Sequence, residues 1–158
     1  MVPVMRHVPA LAAAAFLVAG LWPAAAQIST TGTSGIGPFT QEQVDGGRVA
    51  YNTNCGGCHG FNLQNGSIRT SLIGRSFLAG WGSRSTWEYY RYVSYRMPNQ
   101  APNSLKPETY SNIVAYILAV NGAQPGTEIL TAQSAVRIDT IADGIVRDDV
   151  RDGNSQSQ

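Results

Sequence analysis

Residues that bind metals are scarce in this chain. It has two cysteines, two histidines and three methionines among 158 residues. His7, Met1 and Met5 all fall within the first ten residues, so the rest of the chain holds only Cys55, Cys58, His59 and Met97. A closed structural zinc site takes four protein ligands, usually Cys or His. Two Cys and one His fall short, and no second ligand pair exists. A bond between Cys55 and Cys58 would close a loop too short to constrain much chain. No strand-rich run precedes Tyr51, whereas a thioredoxin-like C-x-x-C sits near a βαβ pattern. Charged residues make up only 13% of the chain, with a formal net charge of +1. So small a charge excludes nucleic acid as a general partner. The apolar run Ala10–Leu21 is too short for a comfortable membrane span.

What is present is Cys55-Gly56-Gly57-Cys58-His59. This C-x-x-C-H pattern is that of c-type haem attachment. Each thiol adds to a vinyl group to form a thioether, and the histidine becomes the proximal iron ligand. The two glycines let the backbone wrap closely around a porphyrin. The expected cofactor is one covalently bound haem c, with His59 on its iron. Met97 is the one methionine past the leader, 38 residues beyond His59 in a proline-stiffened loop. A thioether suits iron, and Met/His ligation raises the reduction potential. Met97 is therefore the expected distal ligand; core filler is the alternative role, and Lys106 an alternative ligand disfavoured by its place at a helix start.

Residues 1–26 read as a signal peptide: Arg6, an apolar stretch, Pro23, then Ala24-Ala25-Ala26. An uncleaved anchor is the competing reading. Export agrees with attachment of c-type haem on the periplasmic side, so a periplasmic location is expected, with no membrane span in the mature chain. Residues 27–39 read as a flexible lead-in. Thr40 to Gln43 forms a capping box opening a helix to about Asn54. Gly47 lies on its apolar face, marking either close approach by another helix or a weak helix at Gly46-Gly47. Residues 60–84 read as a long loop wrapped around the haem. Leu72, Ile73 and Phe77 are expected to line that haem. Trp81 either directs its indole N–H at a haem propionate or packs in the core. Ser85 to Glu88 is a second capping box, opening a helix to about Arg96. A last amphipathic helix starts at Pro107 and ends near Asn121, before Gly122. Residues 123–158 read as a partly disordered extension. Residues 40–122 carry a net +3 and residues 123–158 a net −3. The tail either covers the basic surface of the domain through charge or leaves it free for a partner. Arg75 and Arg84 are the expected contributors to that face.

On these residues the stretch from Thr40 to about Gly122 resembles a class I cytochrome c. The resemblance rests on Gly47, Tyr51 and Cys55 in the first helix, Cys58-His59, Met97, and a last helix containing Tyr116. It implies an all-α fold of three main helices plus loops wrapped around one haem, with the last helix crossing the first. Two departures stand out. The family places a proline near Ser71 whose carbonyl takes the proximal histidine N–H, and here that acceptor is open. A Ser or Asp usually caps the last helix, where Lys106 stands. More narrowly, Leu72-Ile73-Gly74, Phe77, Trp81, Met97-Pro98, Ser104-Leu105, Tyr110 and Ile113 to Leu118 with Asn121-Gly122 are similar to small cytochromes and haem domains serving quinoprotein (PQQ) alcohol dehydrogenases. The function so implied is single-electron carriage rather than enzymic turnover. Partners would be redox proteins: a dehydrogenase as donor, an oxidase or cytochrome as acceptor. The competing readings are a haem subunit of such a complex and a haem-based ligand sensor.

Overall fold

Thr40 sets the start of the first helix, α1 (Gln41–Asn54). Its hydroxyl accepts from the Gln43 N–H at 3.3 Å, and the Gln43 side-chain oxygen accepts from the Thr40 N–H at 3.4 Å. Two otherwise unpaired donors are satisfied in one exchange. This is a computed structural model, and it describes residues 34–68 and 70–153. The expected leader, residues 1–26, lies outside the described residues. After α1 come α2 (Gly56–His59), α3 (Gly74–Trp81), α4 (Thr86–Arg96), α5 (Pro107–Val120), a 3-10 turn (Ile138–Thr140) and α6 (Asp148–Asp152). Among the described residues there is no β-strand, only two isolated bridges.

The crossing of α1 and α5 organises the rest. A Cβ at Gly47 would stand 1.9 Å from the Asn112 carbonyl oxygen and 2.8 Å from the Tyr116 Cβ. Only a residue without a side chain lets the two backbones come so near, which settles the two readings of Gly47 in favour of close approach. One turn on, the Tyr51 and Tyr116 rings meet at 5.6 Å. Pro107 opens α5 with no side-chain cap from Lys106, where a missing N–H does no harm.

Three parts differ from the expectation. First, the loop read over residues 60–84 contains α3. That helix has no side-chain cap from its neighbours. Its Gly74 N–H donates instead to Asn121 Oδ1 at 2.8 Å, from the end of α5. Second, the described part of the lead-in, residues 34–39, is pinned rather than flexible. Gly35 N–H donates to the Ile141 carbonyl and Gly37 N–H to the Gln124 carbonyl, at 2.9 and 2.7 Å, and Phe39 is fully buried.

Third, residues 123–153 pack onto the domain instead of trailing from it. Leu130, Ile138, Ile141 and Ala142 are buried. The Gln43 side chain pairs with the Leu130 backbone as a second strand would, accepting at 2.8 Å and donating at 3.0 Å. Thr86 N–H donates to the Val136 carbonyl, and Ile138 N–H to the Arg84 carbonyl. Burying each large apolar side chain contributes about 1.5–3 kcal/mol. With the tail on its far side, α5 is buried from Tyr110 to Val120 with Asn112 alone less so. A helix apolar all round is a buried helix, which is why the expected amphipathic pattern is not what α5 presents.

Candidate functional site

Cys55 stands between α1 and α2, and Gly56-Gly57-Cys58-His59 form α2 itself. His59 N–H and Cys58 N–H both donate to the Cys55 carbonyl, and the Tyr51 hydroxyl donates to the Gly60 carbonyl at 2.9 Å. The two thiols are unpaired. Burial, and then the nearby Cys58, push the Cys55 thiol up to about 11. Thioredoxin-type pairs lower a thiol pKa, the opposite direction. Desolvation holds the His59 imidazole below its ordinary value, the direction that favours the neutral form a metal ligand takes. The Thr70 carbonyl acts on the imidazole in the opposite direction. Nδ1 is nevertheless buried without a hydrogen bond of ordinary geometry. The acceptor that a proline carbonyl supplies in the resembling family is thus incompletely replaced by Thr70.

Met97 ends α4. Its N–H donates to the Val93 carbonyl at 2.9 Å. Its carbonyl accepts from the Tyr110 hydroxyl at 2.8 Å, and that hydroxyl accepts from the Leu105 N–H at 3.4 Å. Tyr110 of α5 therefore ties both ends of the Met97 loop to the helix crossing, a positioning role the sequence did not reveal.

Cys55, Cys58, His59 and Met97 all line one cavity of about 270 Å³. Of the four further residues expected there, Leu72 and Trp81 are in the wall. Ile73 and Phe77 are not. Both are buried behind it, Phe77 edge-on against Tyr89 at 5.3 Å. The reason is α3: winding residues 74–81 into a helix turns Phe77 away from the space that an extended loop would have given it. Trp81 packs between Tyr89 and Tyr92, at 4.7 and 4.9 Å, while facing the cavity. Tyr51, Tyr89, Tyr92, Val93, Ile113 and Ile117 also line the cavity, with Asn54, Ile68, Thr70 and Pro98 to Gln100 forming the remainder of the wall. Helical spacing put Tyr89 with Val93 on one side of α4, and Ile113 with Ile117 on one side of α5. That was the available signal for this wall, although it reads equally as core. Arg96, grouped with Tyr89 and Val93 by the same spacing, is exposed.

The donor set and its surroundings fit haem c. Two free thiols and a neutral imidazole share a mainly apolar cavity with a thioether. Among the described residues no three or more His, Cys, Asp or Glu side chains gather to hold a bare metal ion. No helix among them is long and apolar enough to cross a membrane.

These residues and the all-α arrangement define a c-type cytochrome domain of class I fold, with covalently bound haem c and an electron-transfer role. Residues 42–117, just under half of the chain, match the family model described as cytochrome c oxidase, cbb3-type, subunit III. The matched stretch holds the whole set Cys55, Cys58, His59 and Met97. No curated protein and no solved structure matches the chain.

Proposed function

We propose that the chain is a periplasmic monohaem cytochrome that carries single electrons between a dehydrogenase and a respiratory acceptor. The observation that carries this reading is the convergence of His59 and Met97 on one apolar cavity beside Cys55 and Cys58. When bound, the haem supplies one reversible electron at its iron. Cys55 and Cys58 would anchor the group covalently, and His59 and Met97 would hold its metal. Val93, Ile113, Ile117 and Leu72 exclude water on the inner side. Tyr110 holds the Met97 backbone through its hydroxyl and so would position the thioether in the cavity. With His59 and Met97 both available to hold the iron, electron carriage is favoured over ligand sensing.

The narrower resemblance to cytochromes serving quinoprotein alcohol dehydrogenases makes such an enzyme the first donor to test. A second reading is a haem c subunit of a larger redox complex, favoured by the description of the matched family model as an oxidase subunit. Pull-down of the exported holoprotein separates the two: a carrier is recovered alone, a subunit with its complex. Acidified-solvent extraction tests the attachment itself. Haem should stay on the wild-type chain and be absent from a Cys55→Ala, Cys58→Ala variant. Complete extraction from the wild type would overturn the assignment.

A further inference from the structure

We propose that the outer face of α4 is the docking surface for an acidic redox protein, joined to the haem cavity through Tyr92. This deepens the electron-carrier reading above and rests on it. α4 buries Thr86, Tyr89, Tyr90, Val93 and Ser94 on its inner side. Its outer side, with Arg84 just before it, forms a shallow groove lined by Trp87, Arg91, Tyr92, Tyr95 and Arg96. Trp87, Tyr92 and Tyr95 are 39%, 44% and 61% exposed.

Three large aromatic rings and three arginines on one face are not an ordinary solvated helix surface. Tyr, Trp and Arg are the residues enriched at protein interfaces and at their energetic centres, where Lys and Glu are depleted. The arginines are also ordered on the rings. The Arg91 guanidinium lies 4.7 Å from the Trp87 ring centroid and 5.8 Å from that of Tyr95. Arg84 lies 5.2 Å from the Trp81 centroid. Stacking of this kind holds a guanidinium in place at little entropic cost.

Charge selects the partner. Among the described residues none of Arg84, Arg91 and Arg96 forms an ion pair. The one acid on the face, Glu88, is engaged by the Ser85 N–H and hydroxyl at 2.8 and 2.9 Å. The face therefore presents a net positive charge, complementary to an acidic surface. Position links it to the chemistry. Tyr92 lines both the groove and the haem cavity. Trp81, in the cavity wall, packs on Tyr92 at 4.9 Å. A partner seated in the groove thus touches Tyr92, a side chain that also lines the cavity. Arg75, expected on such a face, is exposed on α3 and lines neither space.

The test uses full-length ferric holoprotein and, as probe, a reduced plant-type [2Fe–2S] ferredoxin, an acidic protein that gives up one electron as the ferric haem gains one. Rates are followed by stopped flow across a range of ionic strength, after checking that each variant keeps the wild-type haem spectrum. Wild-type rates should fall as salt rises. Arg91→Glu should slow the low-salt reaction about tenfold and flatten its salt dependence, and Arg91→Lys should restore much of it. Trp87→Ala should slow the reaction at every salt concentration. Arg75→Glu, matched in charge change but off the face, should alter the rate less than about twofold. Equal effects of Arg75→Glu and Arg91→Glu would overturn the proposal, because net charge alone would then explain them. Self-association of the wild type that Trp87→Ala abolishes would assign the face to a second copy, and would overturn it too. If neither ferredoxin nor dithionite reduces any variant, the electron-carrier reading itself fails.

Discussion

The haem-binding stretch and the tail use charge in opposite ways. In residues 123–153 every arginine is paired: Arg137 with Asp139, Arg147 with Asp143, and Arg151 with Asp148 and Asp152. In residues 40–122 no described Arg or Lys forms an ion pair. Opposite net charges invited the idea of an electrostatic clasp between the two. The tail instead pairs its arginines internally, keeps its net −3, and attaches by buried apolar side chains and backbone hydrogen bonds. Of the domain's unpaired cations, Arg75, Arg84, Arg91, Arg96 and Lys106 are left exposed, while Arg48 lies against the tail at Gly153. Net charge describes what a segment offers to solvent and partners; attachment follows from which backbone groups and apolar side chains find a place.

The strongest way to break this comparison is to remove the tail. Truncation after Gly126 deletes the buried Leu130, Ile138 and Ile141, worth about 4.5–9 kcal/mol together. That is comparable with the whole stability of a domain, about 5–15 kcal/mol, so the truncated chain should yield little folded holoprotein. Full-length protein should meanwhile keep its denaturation midpoint in molar sodium chloride. Marked destabilisation by salt would show that charge holds the tail after all.

Gly47→Ala comes next. The added methyl meets a backbone carbonyl that cannot swing aside, so α1 and α5 must separate, costing about 1–3 kcal/mol. Chemical denaturation with and without the substitution measures this, and an unmoved midpoint would mean that the helices do not approach there. Gln43→Leu probes the link between the two regions. It preserves bulk but strips the Leu130 N–H and carbonyl of their partner, for about 1–3 kcal/mol. Hydrogen exchange at Leu130 should rise in that variant, while exchange in α4 stays as it was.

The smallest effect concerns pH. The Ser85 N–H, followed by its hydroxyl, holds the Glu88 carboxyl below its ordinary value. A carboxyl lowered in the folded state contributes stability above its unfolded pKa and loses it as pH falls through the lowered value. The hydrogen bond from the Arg137 side chain likewise lowers Asp139 in the tail. Titrating denaturation midpoints downward from neutral pH should show Glu88→Gln removing part of the acid sensitivity. Raised salt should weaken the Asp139 contribution more than that of Glu88, because its partner is an exposed ion.

How much of this was legible follows the range of the interactions. α1, α4 and α5 announce themselves within four residues, through Thr40 with Gln43, Ser85 with Glu88, and Pro107. α3 does not, because the acceptor for its Gly74 N–H is Asn121, beyond two further helices. The same buried side chain donates to the carbonyls of Leu72 and Ile117 at 2.9 and 2.8 Å. The tail was unreadable for a similar reason: its short apolar patches gain meaning only from Gln43 and Thr86, which lie far back in the chain. In the site, Cys55, Cys58, His59 and Met97 stood out by scarcity. The wall did not, since an isoleucine lining a cofactor and one filling a core look alike in sequence. Ile73 and Phe77 were therefore expected where Ile113 and Ile117 stand.

The claim on which everything rests is that Met97 completes the iron site that His59 begins. The near-infrared spectrum of the oxidised holoprotein tests it most directly. The weak sulfur-to-iron charge-transfer band should be present in the wild type and absent from Met97→Ala. That variant should also have a lower reduction potential, and its reduced form should bind carbon monoxide at neutral pH. A band that survives in Met97→Ala would contradict the account, because another residue would then hold the sixth position.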